Sequence, residues 1–202
     1  MSAVSTKLPF GGHGALRQFS IAEYHRLIGL GFFADDEQFE LLDGYLVRKM
    51  ARGSAHDSAL QKLSRRFFRL ISDPTTWQVR DHLGLTLGDS EPEPDLVVAR
   101  GTETAFDRRH PTAAEAALVV EVADSSLARD TEEKLPIYAR SGIPVYWVVN
   151  VPDRKVLVYT NPDPAANPPT YRSLDEFPPG TAVPVTLDGT AVGSIPVADI
   201  LP

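Results

Sequence analysis

The chain has 202 residues, 43% of them hydrophobic, enough to bury a core without covalent staples, and it contains no cysteine. Disulfides and thiolate zinc sites are thereby excluded, so a metal ion would be held by carboxylates, histidine or backbone oxygens, a set that favours Mg²⁺ or Mn²⁺. A formal net charge of -7 and a pI near 5.2 argue against a general affinity for nucleic acid, which is built from Lys and Arg neutralising phosphates, so any such contact has to be local.

No apolar run approaches the roughly 18 residues of a membrane span, and Met1 to Gly14 lacks the charged and apolar regions of a signal peptide. The expectation is a cytoplasmic protein with no membrane segment, in which residues 1–15 are a flexible lead and 16–202 form a single domain. Phe19-Ser20-Ile21-Ala22-Glu23-Tyr24 reads as a helix start, with Ser20 capping, Glu23 closing a capping box and Phe19 placed to staple onto Tyr24. Gly29 or Gly31 ends that helix. Residues 39–42, the pair Asp43-Gly44 and residues 45–50 predict a strand, a tight turn and a return strand, because Asp-Gly supplies the positive φ that such turns need.

From Ser54 to Ile71, Leu60, Leu63, Phe67 and Leu70 recur at the spacing of one helical face, and His56 lies on that face in the first turn. Lys62, Arg65, Arg66 and Arg69 gather on the other side, either as a solvated, salt-bridged face or as a phosphate-tracking surface for DNA. Arg108-Arg109-His110 is a weaker basic candidate. Alternation of Leu83, Leu85 and Leu87 predicts a half-buried strand, and a polar loop over 88–94 leads into another at Asp95 to Ala99. Residues 101–115 read as irregular. Leu118 to Val122 and Val145 to Val149 are continuous apolar runs, as in strands covered on both faces. Between them a helix over about 130–140 contains Pro136, which fits if the regular helix begins near 131–133 so that Pro136 lies in its first turn. Val156 to Tyr159 is a further strand, residues 161–169 a surface loop, and the remainder holds two or three short strands. Strand, helix and parallel strand together predict an α/β sheet with a crossover helix.

Within the apolar run stands Glu121. An ionised carboxylate in a core costs several kcal/mol even after relaxation, so it demands a proton, a cationic partner or a metal. Asp95 and Lys134 are the candidates for company. Two carboxylates on adjacent strands can hold a cation and a lysine beside them can orient water, which is the inventory of phosphodiester hydrolysis.

The order Pro94-Asp95, then a core-strand Glu121, resembles the PD-(D/E)XK nuclease superfamily, except that Ala123 stands where that pattern has its lysine. One branch carries the lysine on the following helix, and the chain resembles that branch, the restriction-endonuclease family of Uma type, over most of its length. The likeness rests on Phe19 to Tyr24, Glu40-Leu41-Leu42-Asp43-Gly44, Lys49-Met50 with His56, Pro94-Asp95-Leu96, Val120-Glu121-Val122, Asp130 through Lys134 to Gly142, and Tyr146 to Val149. It departs at Ala123 to Ser126, Val145 and Asn150.

The resemblance implies a restriction-endonuclease-like α/β fold, a mixed central sheet flanked by helices with an N-terminal helix and hairpin. It implies that Asp95, Glu121 and the backbone carbonyl of Val122 ligate Mg²⁺ or Mn²⁺, that Lys134 is the migrated catalytic lysine, that His56 and Glu40 belong to the same pocket, and that DNA is the substrate. The residues alone leave rivals open. Glu121 and Lys134 can form a structural ion pair, Lys134 can pair with Asp130 at i, i+4 on a solvated face, strand alternation can put Glu40 on the polar face, and the whole can be a non-catalytic nuclease-fold scaffold or a hydrolase of another phosphoester. A homodimer is expected on general grounds, since closed two-fold dimers are common.

Overall fold

A computed structural model describes residues 16–34, 37–72 and 75–202; the expected flexible lead over 1–15 lies outside the described residues. The chain opens with helix α1, Ile21–Gly29, where Ser20 and Glu23 form the reciprocal capping box expected of them. The hairpin follows as β1, Phe39–Leu42, and β2, Tyr45–Arg48, with Asp43 and Gly44 both at positive φ. A Cβ on Gly44 would lie 2.7 Å from Gln18, so glycine is required there twice over. Helix α2, Ser54–Leu70, buries His56, Leu60, Leu63 and Phe67 on one face, as the periodicity predicts.

The central sheet has six strands in spatial order β3 (Trp77–Asp81), β4 (Leu96–Arg100), β5 (Ala116–Ala123), β6 (Val145–Asn150), β7 (Lys155–Asp163) and β8 (Thr170–Phe177). Only the β5–β6 pair is parallel, the crossover between them being the predicted helical segment. Strands β9, Ala182–Leu187, and β10, Thr190–Pro196, form a separate hairpin whose Val183, Val185, Leu187 and Ile195 join the core on the α2 side. The opposite side of the sheet is covered by α3, Leu135–Arg140, through Ile137, Tyr138 and Ala139. The expected architecture, a mixed sheet flanked by helices after an N-terminal helix and hairpin, is the one observed.

Three expectations need correction. Leu83, Leu85 and Leu87 are not a strand. The strand in that region is β3, and His82, at a φ of 52°, turns the chain out of it. Leu85 and Leu87 are buried as loop residues whose neighbourhood makes only isolated bridges, so their alternation reflects packing without a ladder. Secondly, β7 runs on through Asn161, Pro162 and Asp163, because Pro162 and Asp163 pair with Tyr171 and Thr170 of β8. Thirdly, the crossover does not begin as a regular helix: residues Arg129–Lys134 form a π-helix, and the α-helical turns start at Leu135 with Pro136 in the first turn. Proline lacks the amide donor and its ring crowds the carbonyl four residues earlier, and a wider turn ahead of it relieves that crowding.

Candidate active site

Strands, helices and the segment leading into β4 deliver polar side chains to one end of the sheet. Asp95 immediately precedes β4, and because Leu96 pairs with Val120, it lies beside the C-terminal end of β5, where Glu121 and Val122 are. The amide of Val122 donates to Asp95 Oδ2 at 2.7 Å. His56, in the first turn of α2, places Nε2 3.1 Å from the same oxygen. Burial alone would raise the Asp95 pKa, but the His56 hydrogen bond and charge, with the Val122 amide, hold it below the usual carboxylate range. Burial works against a charged His56, yet the Asp95 hydrogen bond and charge raise its pKa overall.

Lys134 closes the π-helix and is 5% exposed. Its ammonium lies 2.9 Å from Glu121 Oε1 and 3.1 Å from Glu40 Oε2, and Glu40 Oε2 also accepts the Glu93 amide. Glu40, 1% exposed, therefore points inward, contrary to the polar-face alternative. Tyr138 donates its hydroxyl to Glu121 Oε1 at 2.7 Å. Lysine and tyrosine both engage that one oxygen, which leaves Oε2 of Glu121 for another partner. Burial, reinforced by the charges of Asp130, Asp95 and Glu40, outweighs Lys134 and lifts the Glu121 pKa to about 8. The surrounding carboxylates keep Lys134 protonated despite its burial.

The alternative pairing of Lys134 with Asp130 on a solvated face is not what is observed. Asp130 is itself buried, takes a 2.6 Å hydrogen bond from Ser126, and is lifted to about pKa 6 by burial. A cavity of about 60 Å³ is lined by Glu40, His56, Asp95, Glu121, Val122 and Lys134 together, so all six residues picked from the sequence meet in one place. Its wall also holds residues that the sequence reading did not assign to the site: Asp130, Lys49, Arg52 and Arg129. Asp130 and Tyr138 were findable, since they stand four residues before and after Lys134 and so share its side of the helical segment. His82, whose Nδ1 lies 3.5 Å from Asp95 Oδ1, carried no such signal, because only the turn after β3 brings it there.

The basic stripe on α2 is partly spent elsewhere. Lys62 donates to the Leu201 carbonyl at 2.7 Å and Arg66 pairs with Asp199 at 3.1 Å, so these two fasten the C-terminal segment to the helix, while Arg65 and Arg69 are exposed. Arg109, from the weaker basic candidate, is held by both oxygens of Glu115.

The donor set fits a divalent cation. Four carboxyl groups, those of Glu40, Asp95, Glu121 and Asp130, are buried around the cavity beside Lys134, and burial that raises the pKa values of Glu121 and Asp130 marks a place where a bound cation would favour their ionised forms. Oxygen ligands suit a hard ion such as Mg²⁺.

Residues 21–192 match the model of the Uma2 family, described as "putative restriction endonuclease". The chain belongs to the Uma2 family. The crystal structure of a putative nuclease of DUF820 from Anabaena variabilis is similar to it, with a TM-score of 0.65 and 16% sequence identity, over 85% of this chain and 94% of that one. At that identity the likeness concerns the fold. No curated protein matches the sequence. For this Uma2 chain, then, a nuclease-like fold accompanies the family assignment, and among the described residues no helix is long and apolar enough to cross a membrane.

Proposed function

We propose that this Uma2 chain is an endonuclease that hydrolyses phosphodiester bonds of DNA with the help of Mg²⁺ or Mn²⁺. The observation that carries the reading is the convergence of Asp95, Glu121 and Lys134, with His56 and Glu40, on one cavity. Asp95 and Glu121, with the carbonyl of Val122, would hold the ion. When bound, such an ion polarises the phosphoryl oxygens and makes water a better nucleophile.

The chain's own residues have separable tasks. His56 and the Val122 amide fix Asp95 in one orientation through Oδ2 and keep it ionised. Lys134, held between Glu40 and Glu121, presents a buried positive charge to the attacking water and to the charge that develops on the phosphate. Tyr138 shares the load on Glu121 Oε1 and so keeps its other oxygen available. Arg52 and Arg129, on the cavity wall, would meet the phosphate backbone, Arg129 while also donating to the Arg48 carbonyl.

Cleavage of supercoiled DNA in Mg²⁺ or Mn²⁺ tests the reading. Asp95→Asn and Glu121→Gln lose cleavage while circular dichroism and thermal melting stay near those of the parent. Cutting at the parental rate by both variants overturns the mechanism.

One observation favours a second reading: Lys134 already satisfies Glu40 and Glu121 in the manner of a structural ion triad, which suits a non-catalytic nuclease-fold scaffold. Calorimetric titration with Mn²⁺ separates the two. Heat that disappears in Asp95→Asn supports the nuclease, and no Asp95-dependent heat supports the scaffold.

A further inference from the structure

A second cluster of ligand-type side chains lies outside the catalytic cavity. Glu91, in the loop ahead of β4, exchanges backbone hydrogen bonds with Leu41 of β1, and its side chain is only 4% exposed. A carboxylate so far from water needs a proton, a cationic partner or a metal. Among the described residues two imidazoles face it. His25 of α1 places Nε2 2.5 Å from Glu91 Oε1, and His110, from the irregular stretch before β5, places Nε2 4.0 Å from the same oxygen. The other oxygen accepts the Thr86 hydroxyl at 2.9 Å.

One donor atom from each of His25, Glu91 and His110 lies within 4.8 Å of the others. Bonds of about 2.0–2.2 Å to a tetrahedral ion separate its ligand atoms by roughly 3.3–3.6 Å, inside the spread now seen. Ion binding therefore asks only for small side-chain rotations. His25 is 49% exposed at its side chain and has room to turn. A Cβ on Gly84 would lie 2.9 Å from Cδ2 and Nε2 of His110, so glycine at that position keeps the ligating edge of the ring clear. The Thr86 hydroxyl supplies the outer hydrogen bond that steadies a ligating carboxylate. A pocket of about 320 Å³ opens beside the three, bounded also by Ile28 and Gly29, and leaves a coordination position for water or an exogenous ligand.

Ligand chemistry separates this cluster from the catalytic cavity. Two neutral imidazoles and one carboxylate favour zinc and its neighbours, whereas an all-oxygen set favours magnesium. Neutral imidazoles around one ion also remove the repulsion that two protonated histidines facing a single carboxylate would suffer. We propose that His25, Glu91 and His110 form a second cation centre, for a transition-metal ion of the Zn²⁺ class, which ties α1 to the two loops that flank β4. Its ligands come from three separate segments, so occupancy stabilises their mutual placement.

The test uses the full chain, stripped of metal, with Zn²⁺ as the probe in competition with a chromophoric chelator and melting temperature as a second readout. The parent and Glu121→Gln are each expected to bind one Zn²⁺ and to melt higher with it. His25→Ala and His110→Ala are expected to lose roughly 10- to 100-fold or more in affinity, at least as much as outer-shell changes cost, together with the melting shift. Half-exposed His25 tolerates alanine without loss of the fold, so that variant decides the matter if His110→Ala misfolds. The proposal is overturned if His25→Ala binds Zn²⁺ as the parent does, if the parent binds none, or if Glu121→Gln abolishes binding, which would assign the ion to the carboxylate cavity.

Discussion

Phe67 and Trp147 on the α2 side of the sheet are 0% exposed, and Glu121 of the same sheet, and Glu40 and Lys134 brought to it by the hairpin and the π-helix, are 3%, 1% and 5% exposed. The two regions are withdrawn from water to the same degree, with opposite energetic consequences. Phe67 and Trp147, their rings 5.6 Å apart, gain from leaving water. The charged group loses hydration and recovers it only through its own internal pairing. Equal burial thus marks one region as the source of stability and the other as a place where stability has been given up for a charged, water-poor cavity.

The sharpest way to break this contrast is to separate activity from stability. Glu121→Gln and Lys134→Ala are expected to lower DNA cleavage by about 10²–10³-fold or more, the scale of removing one transition-state charge stabiliser, measured as single-turnover rates. Phe67→Ala is expected to do the reverse, costing about 3–5 kcal/mol in denaturant unfolding while cleavage per folded molecule stays the same. If Phe67→Ala abolishes activity in the folded fraction, the two regions are not independent.

A pH series sharpens the comparison further. The Glu121 pKa is lifted from its ordinary 4.5 to about 8, chiefly by burial. Between those values the folded metal-free chain keeps a proton that the unfolded chain has released. The contribution of this group to stability is therefore complete below 4.5 and is lost as pH rises through 8. Unfolding midpoints in a chelator are expected to fall more steeply over that window in the parent than in Glu121→Gln, and saturating Mg²⁺ is expected to flatten the parent's slope. Equal slopes in parent and variant would show that Glu121 is ionised throughout.

The smallest effect concerns the basic residues. Arg66→Ala is expected to cost less than about 1 kcal/mol, as half-exposed ion pairs do, and to leave DNA affinity unchanged because Arg66 is paired with Asp199. Arg129→Ala, on the cavity wall, is expected to weaken binding of DNA and to reduce its salt dependence in fluorescence anisotropy. A larger effect from Arg66 would restore the helix stripe as the docking face.

Much of this was legible in the residues. The capping box of α1, the Asp43-Gly44 hairpin, the apolar face of α2 and the parallel strands β5 and β6 each follow from local pattern, and so does the energetic anomaly of Glu121. Pro136 lies in the first turn of the regular helix as read, and local pattern failed where packing replaced hydrogen bonding, as at Leu85 and Leu87, where a strand absorbed a proline at the end of its ladder, as at Pro162, and where a wider turn over Arg129–Lys134 delayed the helix start to Leu135.

The sequence by itself determined which groups cannot be buried alone, because the cost of desolvating a charge belongs to the residue type and needs no coordinates. Only the tertiary structure decided how each was compensated. Lys134 reaches Glu121 and Glu40 and leaves Asp130 to Ser126, Lys62 and Arg66 turn to the C-terminal segment, and His25, Glu91 and His110 meet from three distant stretches. Pairing at a few ångströms depends on register and crossing geometry, which arise when the elements pack.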